Sequence, residues 1–270
     1  MSKVRAKKYY GQHFLADRNI AKKIALSLEA RGYSNVLEIG PGMGVLTTFL
    51  IERNFENFKV IEIDSEASQY MGKTYRNLEI IQGDFLKLDL DSCFDGKMGI
   101  IGNFPYNISS QILFRVLEYR DKVCELTGML QKEVADRIVS GPGSKVYGIL
   151  SVLLQAYYKV EYLFSVPADV FRPSPKVKSA VVRLTRIENK PVDCDEKLLF
   201  SVVKITFNQR RKTIKNSLKP LIDASGSVNQ LLKKRPEQLG VDEFIELTKL
   251  VDLMLTKKRA ILDSESGHGN

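Results

Sequence analysis

The sequence predicts an α/β fold, a mainly parallel sheet with an antiparallel edge, followed by a small helical domain. Three observations carry this. Apolar runs of strand length alternate with helix-periodic stretches through the first half, two β-rich runs flank a proline-rich loop, and strand signals stop beyond about residue 188.

In order along the chain, DRNIAKKIALSLEA (17–30) opens with Asp17 as an N-cap and repeats apolar residues at helical spacing. NVLEIG follows as a strand, then a glycine-rich turn and a helical VLTTFLIER. A second strand FKVIEID, a helical SEASQYMGKTY, a third strand LEIIQGD and a fourth, GIIGN, continue the alternation. Such alternation implies right-handed β-α-β connections, hence a parallel sheet covered on both faces. A helix near 110–120 and a further strand, ELTGMLQ, come next. KVEYLFSV and SAVVRLTRI flank the turn-rich loop PADVFRPSPKVK, which suggests an antiparallel pair closing one sheet edge. EKLLFSVVKITF and DEFIELTKLVDLML then read as amphipathic helices. The expected domains are 1–188, the α/β part with a basic N-terminal arm, and 189–262, the helical part, with a disordered tail at 263–270.

Composition narrows the chemistry. With 270 residues, 44% of them hydrophobic, the chain can bury a substantial core. A net charge of +9 points to an anionic partner, nucleic acid or a membrane surface, and charge alone does not choose between them. No apolar run reaches the roughly 18 residues that span a bilayer. The start MSKVRAKKYYGQHF lacks the apolar core of a secretory signal, so a cytoplasmic protein without a membrane partner is expected. Cys93, Cys124 and Cys194 lie far apart and in no CxxC pair, which argues against a disulfide framework or a zinc site. With His13 and His268 the only histidines, chemistry that needs neither a metal nor an imidazole is expected.

VLEIGPGMGVL reads as strand, turn and helix, with Gly40, Gly42 and Gly44 permitting positive φ and close approach of a ligand to the main chain. A dinucleotide fingerprint would want glycine at 45, where Val45 stands. The spacing, with Glu38 before it, fits a nucleoside ligand such as S-adenosylmethionine better, although such a turn can also be purely structural. At the end of the second strand Glu62 and Asp64 offer carboxylates for ribose hydroxyls, against the alternative of a solvated strand end. Asp84, ending the third strand, is placed to meet an adenine amino group. Three strand ends supplying a glycine turn and carboxylates form a set.

At the end of the fourth strand, IIGNFPYNISS is similar to the motif with which amino-methylating enzymes hold a planar nitrogen. The lone pair of adenine N6 is delocalised into the ring, so acceptors must draw its hydrogens out of plane. The Asn103 carboxamide oxygen and a main-chain carbonyl near Pro105 can accept them, and Tyr106 can stack on the base, worth roughly 1–3 kcal/mol. No general base is required before transfer, in keeping with the scarcity of histidine. The alternative is a proline turn with a core tyrosine.

Together these residues resemble the ribosomal RNA adenine dimethyltransferases, specifically the bacterial small-subunit (16S) members that modify two adjacent adenosines near the RNA 3′ end. The similarity runs from YYGQHFL through EIGPGMGVLT, VIEID, QGDF and GNFPYNISS to MLQKEVADRIVSGPGSKVYGILSV, VFRPSPKVKSAVVRL and FNQRRKTIKNSL, nearly the whole chain to about 218. It implies a class I S-adenosylmethionine-dependent methyltransferase, Rossmann-like, without a metal. It also implies donor contacts from His13, Leu15, Gly40, Glu62, Asp84 and Asn103, with Gly42 in the same turn. Asn103, Pro105 and Tyr106 would hold the base, with Phe171 as a second stacking ring; core burial is the alternative for Phe171, as packing is for His13. Phe104 stands where leucine is commonest in this family, and His13 where asparagine is also frequent.

Lys3, Arg5, Lys7 and Lys8 precede Tyr9 and Tyr10, while Arg210, Arg211, Lys212 and Lys215 cluster further on. Lys7, Lys8 and the second cluster are the expected RNA contacts, since such groups neutralise phosphates. The implied partner is small-subunit rRNA, within the 30S particle or its precursor, met by a monomer. Two other readings stay open: an RNA-binding ribosome-assembly factor with methylation secondary, and a large-subunit rRNA methylase of the resistance type. The GPGSKVYG and FNQRRKTIKNSL blocks favour the small-subunit reading over the latter.

Overall fold

The computed structural model describes residues 4, 6–188, 192–222 and 228–266. Its first elements are β1 (Phe14–Leu15), α1 (Arg18–Ser27), β2 (Asn35–Ile39), α2 (Val45–Ile51), β3 (Asn57–Glu62), α3 (Ser65–Thr74) and β4 (Glu79–Gln82). Then come β5 (Met98–Asn103), α4 (Ser109–Glu118), β6 (Val123–Gln131), α5 (Lys132–Val139), α6 (Ile149–Tyr157), β7 (Tyr158–Val166), β8 (Phe171–Arg172) and β9 (Ser179–Arg186). Helices α7 (Glu196–Asn208), α8 (Ile214–Ser217) and α9 (Val241–Ser266) complete the chain.

Two compact units result, Met1–Val139 with Tyr158–Ile187 and Ser140–Tyr157 with Glu188–Asn270. In the first, a seven-stranded sheet runs in the order β4-β3-β2-β5-β6-β9-β7. The β4, β3, β2, β5 and β6 pairings are parallel, while β9 pairs antiparallel with both β6 and β7, so the expected antiparallel edge is there. Every residue of β2 is buried, as a central strand covered on both faces requires. Strand order reverses between β2 and β5, which opens a crevice at the strands' carboxyl ends. A separate two-stranded ribbon joins β1 to β8, pairing Leu15 with Phe171.

Caps set where the helices start. Asp17 accepts from the N–H groups of Asn19 and Ile20 at 2.8 and 3.0 Å, as its position before the apolar repeat predicts. Asp64 does the same for α3 through Glu66 N–H at 3.0 Å. At the start of α2 there is no side-chain cap; Gly44 occupies that position at φ +77.

The second unit places α6, α7 and α9 against one another, with Phe207 and Phe244 stacked at 5.8 Å and Tyr147 edge-on to Phe207 at 6.0 Å. Residues 140–157 thus group with the helices rather than with the α/β part, in contrast to a single boundary after 188. The reason is that α6 is buried on nearly all sides and packs on α7 and α9. Helix α9 also continues to Ser266, past the expected start of the tail at 263, because neither glycine nor proline interrupts it before Gly267. Residues 267–270 of that tail lie outside the described residues, as do Lys3 and Arg5 of the basic arm and the side chain of Lys8. Among the described residues no helix is long and apolar enough to cross a membrane.

Candidate active site

At the crevice the ends of β2, β3, β4 and β5 border a cavity of about 210 Å³, against about 30 Å³ for an adjoining one. Gly40, Glu62, Asp84 and Asn103 each reach the larger cavity from a different strand, and Gly42, Pro105, Tyr106 and His13 line it too. Of the expected donor contacts only Leu15 is not there; it borders the smaller cavity, which Gly40 and Asn103 share.

Gly40 turns out of β2 at φ +68, and a Cβ built on it would meet nothing within 4 Å. That open space beside the main chain is a cradle for a ligand. Gly42 and Gly44 have different reasons: a Cβ at 42 would stand 2.9 Å from the Phe14 ring and one at 44 would stand 2.6 Å from the Tyr75 ring. Those two glycines admit side chains of the protein itself. The Tyr75 hydroxyl, in turn, donates to Gly44 O at 3.0 Å.

Glu62 is 3% exposed. Burial pushes its carboxyl above the usual range, opposed by the N–H groups of Asp64 and Gly42, which donate to Oε1 at 2.9 Å and Oε2 at 3.1 Å. Each oxygen keeps a further lone pair, and Glu62 lines the cavity, which suits it to a ribose diol. Asp64, the other carboxylate in VIEID, is fully buried and already used: Lys7 Nζ at 2.6 Å, Gln12 Nε2 at 3.3 Å and Glu66 N–H all donate to it. Burial alone would raise its pKa, but Lys7 and Gln12 hold it below the usual value. Of the two candidates for the ribose, Glu62 is therefore the one with access. Asp84, which also lines the cavity, accepts from Leu86 N–H through Oδ1 at 2.9 Å.

The carboxamide of Asn103 has a defined orientation. Its Nδ2 donates to the main-chain oxygen of His13 at 2.9 Å, so the other end of the amide is Oδ1, which accepts no hydrogen bond among the described residues. A carbonyl oxygen held this way is an acceptor at the cavity wall. Next to it the His13 ring lies 5.3 Å from the Tyr106 ring at an interplanar angle of 29°, and His13 Nδ1 donates to Pro173 O at 2.8 Å, leaving Nε2 as the acceptor when the ring is neutral. The Tyr106 hydroxyl is hydrogen-bonded to Ser179 Oγ. Phe171, the expected second stacking ring, is fully buried in the core with Leu15, Ile24 and Phe164 around it, and it does not line the cavity.

Four further contributors carry no assigned role in the sequence. Tyr10, Gln12 and Phe14 put the N-terminal segment along one wall of the cavity. Their signal was the YYGQHFL block, in which nothing marks the glutamine as a partner of Asp64. Ser179 sits at a strand start with no local sign of its contact with Tyr106.

A parallel sheet that reverses at β2 and β5, with a glycine cradle, a buried carboxylate and an oriented amide at its carboxyl ends, defines an S-adenosylmethionine-dependent methyltransferase with S-adenosylmethionine as methyl donor. The comparisons carry this further. The family described as ribosomal RNA adenine dimethylase matches residues 3–261, and this chain belongs to it. It is 53% identical over 269 residues to a protein of Phocaeicola vulgatus named ribosomal RNA small subunit methyltransferase A, covering 98% of this chain and 96% of that one. A protein of the same name from Flavobacterium johnsoniae is 55% identical over 257 residues, 93% of this chain and 98% of that one. Among solved structures, a dimethyladenosine transferase from Plasmodium falciparum superposes with a TM-score of 0.73 at 26% identity, over 87% of this chain and 96% of that one. The 23S rRNA methyltransferase ErmE superposes with a TM-score of 0.65, also at 26% identity, over 87% and 99%.

Proposed function

We propose that this protein transfers methyl groups from S-adenosylmethionine to N6 of two adjacent adenosines near the 3′ end of small-subunit rRNA, giving N6,N6-dimethyladenosine. The observation that carries it is the Asn103 amide, whose donor end is engaged by His13 O and whose acceptor end is left at the cavity wall. An acceptor there takes an N6 hydrogen, frees the nitrogen lone pair from the ring and meets positive charge as it develops. Bound S-adenosylmethionine supplies an electrophilic methyl group on a sulfonium centre, a transfer that calls for no metal. Gly40 and Glu62 would hold the donor's nucleoside part, Asp84 its adenine amino group, and His13 and Leu15 would flank it along the main chain. Tyr106 would stack on the target base, with Pro105 offering a carbonyl to the second N6 hydrogen.

The partner we propose is rRNA within the 30S particle or its precursor, met by a monomer in the cytoplasm, with a role in subunit biogenesis. The relatives at 53–55% identity carry the small-subunit name over nearly their full length, whereas the large-subunit enzyme stands at 26%, which favours the small-subunit substrate.

The direct test is transfer of labelled methyl from S-adenosylmethionine to unmethylated small subunits, followed by nucleoside analysis. N6,N6-dimethyladenosine is the expected product. Asn103→Ala should still bind the subunit while kcat falls by about two to three orders of magnitude, the scale for losing one aligned transition-state partner. Wild-type turnover in that variant would remove Asn103 from the mechanism.

A further inference from the structure

The turn that holds the base is itself held from behind by two strands. We propose that Gly128 in β6 and Ser179 in β9, neither of which lines the cavity, are positioning residues that set this turn through Phe104 and Tyr106. The inference deepens the adenine-holding reading above and rests on it.

Phe104 is 1% exposed although it stands in a turn. Its ring lies across two glycines that β5 and β6 bring side by side, since Gly102 pairs with Gly128 in the parallel register. A Cβ at 102 would stand 2.9 Å from Phe104 Cε1, and one at 128 would overlap the edge of the ring. Two adjacent missing side chains therefore make one socket, and the ring fills it. Gly102 could not change in any case, because its Cβ would also meet Ile39 O at 2.6 Å. At Gly128 the three atoms nearest such a Cβ all belong to the Phe104 ring, and its φ is not positive, so the ring is the first obstacle there. The Phe104 N–H donates to Met129 O at 3.1 Å, so strand β6 holds both the main chain and the side chain of this residue. Phenylalanine at 104 and glycine at 128 are then one size-matched feature, and the departure from leucine at 104 has its cause in the neighbouring strand.

Two residues on, the Tyr106 hydroxyl is tied to Ser179 Oγ, and Ser179 is fully buried where β9 pairs with Gln131 of β6 and Val166 of β7. With its far end hydrogen-bonded, the tyrosine ring swings about its Cα–Cβ bond only by breaking that hydrogen bond. Asn103 and Pro105 lie beside and between these two anchors. Holding both rings keeps the turn from tilting, and a misplacement of about 1 Å at a reacting centre can cost on the order of 100-fold in rate.

The experiment measures steady-state methylation of small subunits, donor affinity by calorimetry and the thermal midpoint for a set of variants. Ser179→Ala removes one oxygen and adds no bulk. It should lower kcat by about tenfold with donor affinity and midpoint close to wild type, Ser179→Thr should restore kcat, and Ser179→Ala with Tyr106→Phe should be no worse than the poorer single, as expected when two changes break the same hydrogen bond. Gly128→Ala should lower kcat more, and adding Phe104→Leu should recover much of that loss. Wild-type kcat in Ser179→Ala, or a Gly128→Ala/Phe104→Leu protein no better than Gly128→Ala, overturns the proposal. The wild-type control separates the two levels: without N6,N6-dimethyladenosine from wild type the adenine-holding reading and this one fall together, whereas an active wild type with indifferent variants sinks only the positioning role.

Discussion

Glu38 sits under the glycine turn, 1% exposed, with Thr47 Oγ1 donating to its Oε2 at 2.7 Å. Burial is the main influence on it, and the nearby Glu62 carboxyl adds to the effect while the Thr47 hydroxyl opposes it; the balance pushes its pKa from 4.5 to about 8. Around neutrality the folded protein thus keeps a proton that the unfolded chain has released. The stability this lends is complete below the unfolded value and is lost as pH rises through the folded one. Glu38→Gln keeps an acceptor for Thr47 and cannot ionise. Its thermal midpoint relative to wild type should therefore be flat below about 4.5 and climb as pH rises toward about 8, read by calorimetry across that window. A difference that is constant across that window would mean that Glu38 is ionised in the fold. Asp64, two residues past the end of β3, shows the opposite case, since its cationic partner keeps it charged.

The segment from Lys7 to Phe14 behaves as an element of the site although only a short 3-10 turn at Lys8–Tyr10 and the two-residue β1 give it regular structure. Lys7 N–H donates to Gln12 Oε1 at 2.8 Å, Lys7 Nζ bridges Asp64 at 2.6 Å and Glu66 at 3.4 Å, and the carbonyl of His13 holds Asn103. Lys7, read from sequence as an RNA contact, is engaged with two carboxylates of the protein. Lys7→Gln should accordingly weaken donor binding by several-fold, measured by calorimetry, and leave the salt dependence of RNA binding unchanged. A phosphate contact would instead lower that slope by about one, and such a drop would return Lys7 to the RNA interface. This pairing spans 57 residues and was not legible, because nothing local in VRAKK or VIEID announces a partner. What was legible at this scale is the set of strand ends: Gly40, Glu62, Asp84 and Asn103 each follow an apolar run, and a parallel sheet necessarily gathers such ends on one side. Helix α6 was hidden for the converse reason. KVEYLFSV was read as a strand, but from Ile149 to Val166 no Gly, Pro, Asn or Asp breaks the chain, so nothing marks a separate helix ending before it.

For the whole molecule the net charge of +9 is distributed unevenly in its availability to RNA. Many of its cations are already engaged: Arg183 reaches Glu29 and Glu161, Lys234 reaches Glu243, and Lys132 reaches Asp136. In the helical unit Arg210 donates to Ser144 O at 3.2 Å and lies 3.9 Å from Glu237, whereas Arg211 and Lys212 beside it are exposed. The four cations that read as one basic cluster in sequence therefore divide by burial, Arg210 bracing its own unit, Arg211 and Lys212 facing solvent and Lys215 half-buried. Counterion release makes log affinity fall with log salt in proportion to the phosphates neutralised. Measured on small subunits across a salt series, Arg211→Ala and Lys212→Ala should each weaken binding and reduce the slope by about one. Arg210→Ala should change the slope less and lower the thermal midpoint more, because it leaves the Ser144 carbonyl with the Tyr147 N–H alone and removes the cation beside Glu237. Equal slope changes from all three would mean that Arg210 leaves Glu237 for a phosphate on binding, and no change from Arg211 or Lys212 would place the RNA contacts of this unit elsewhere on its surface.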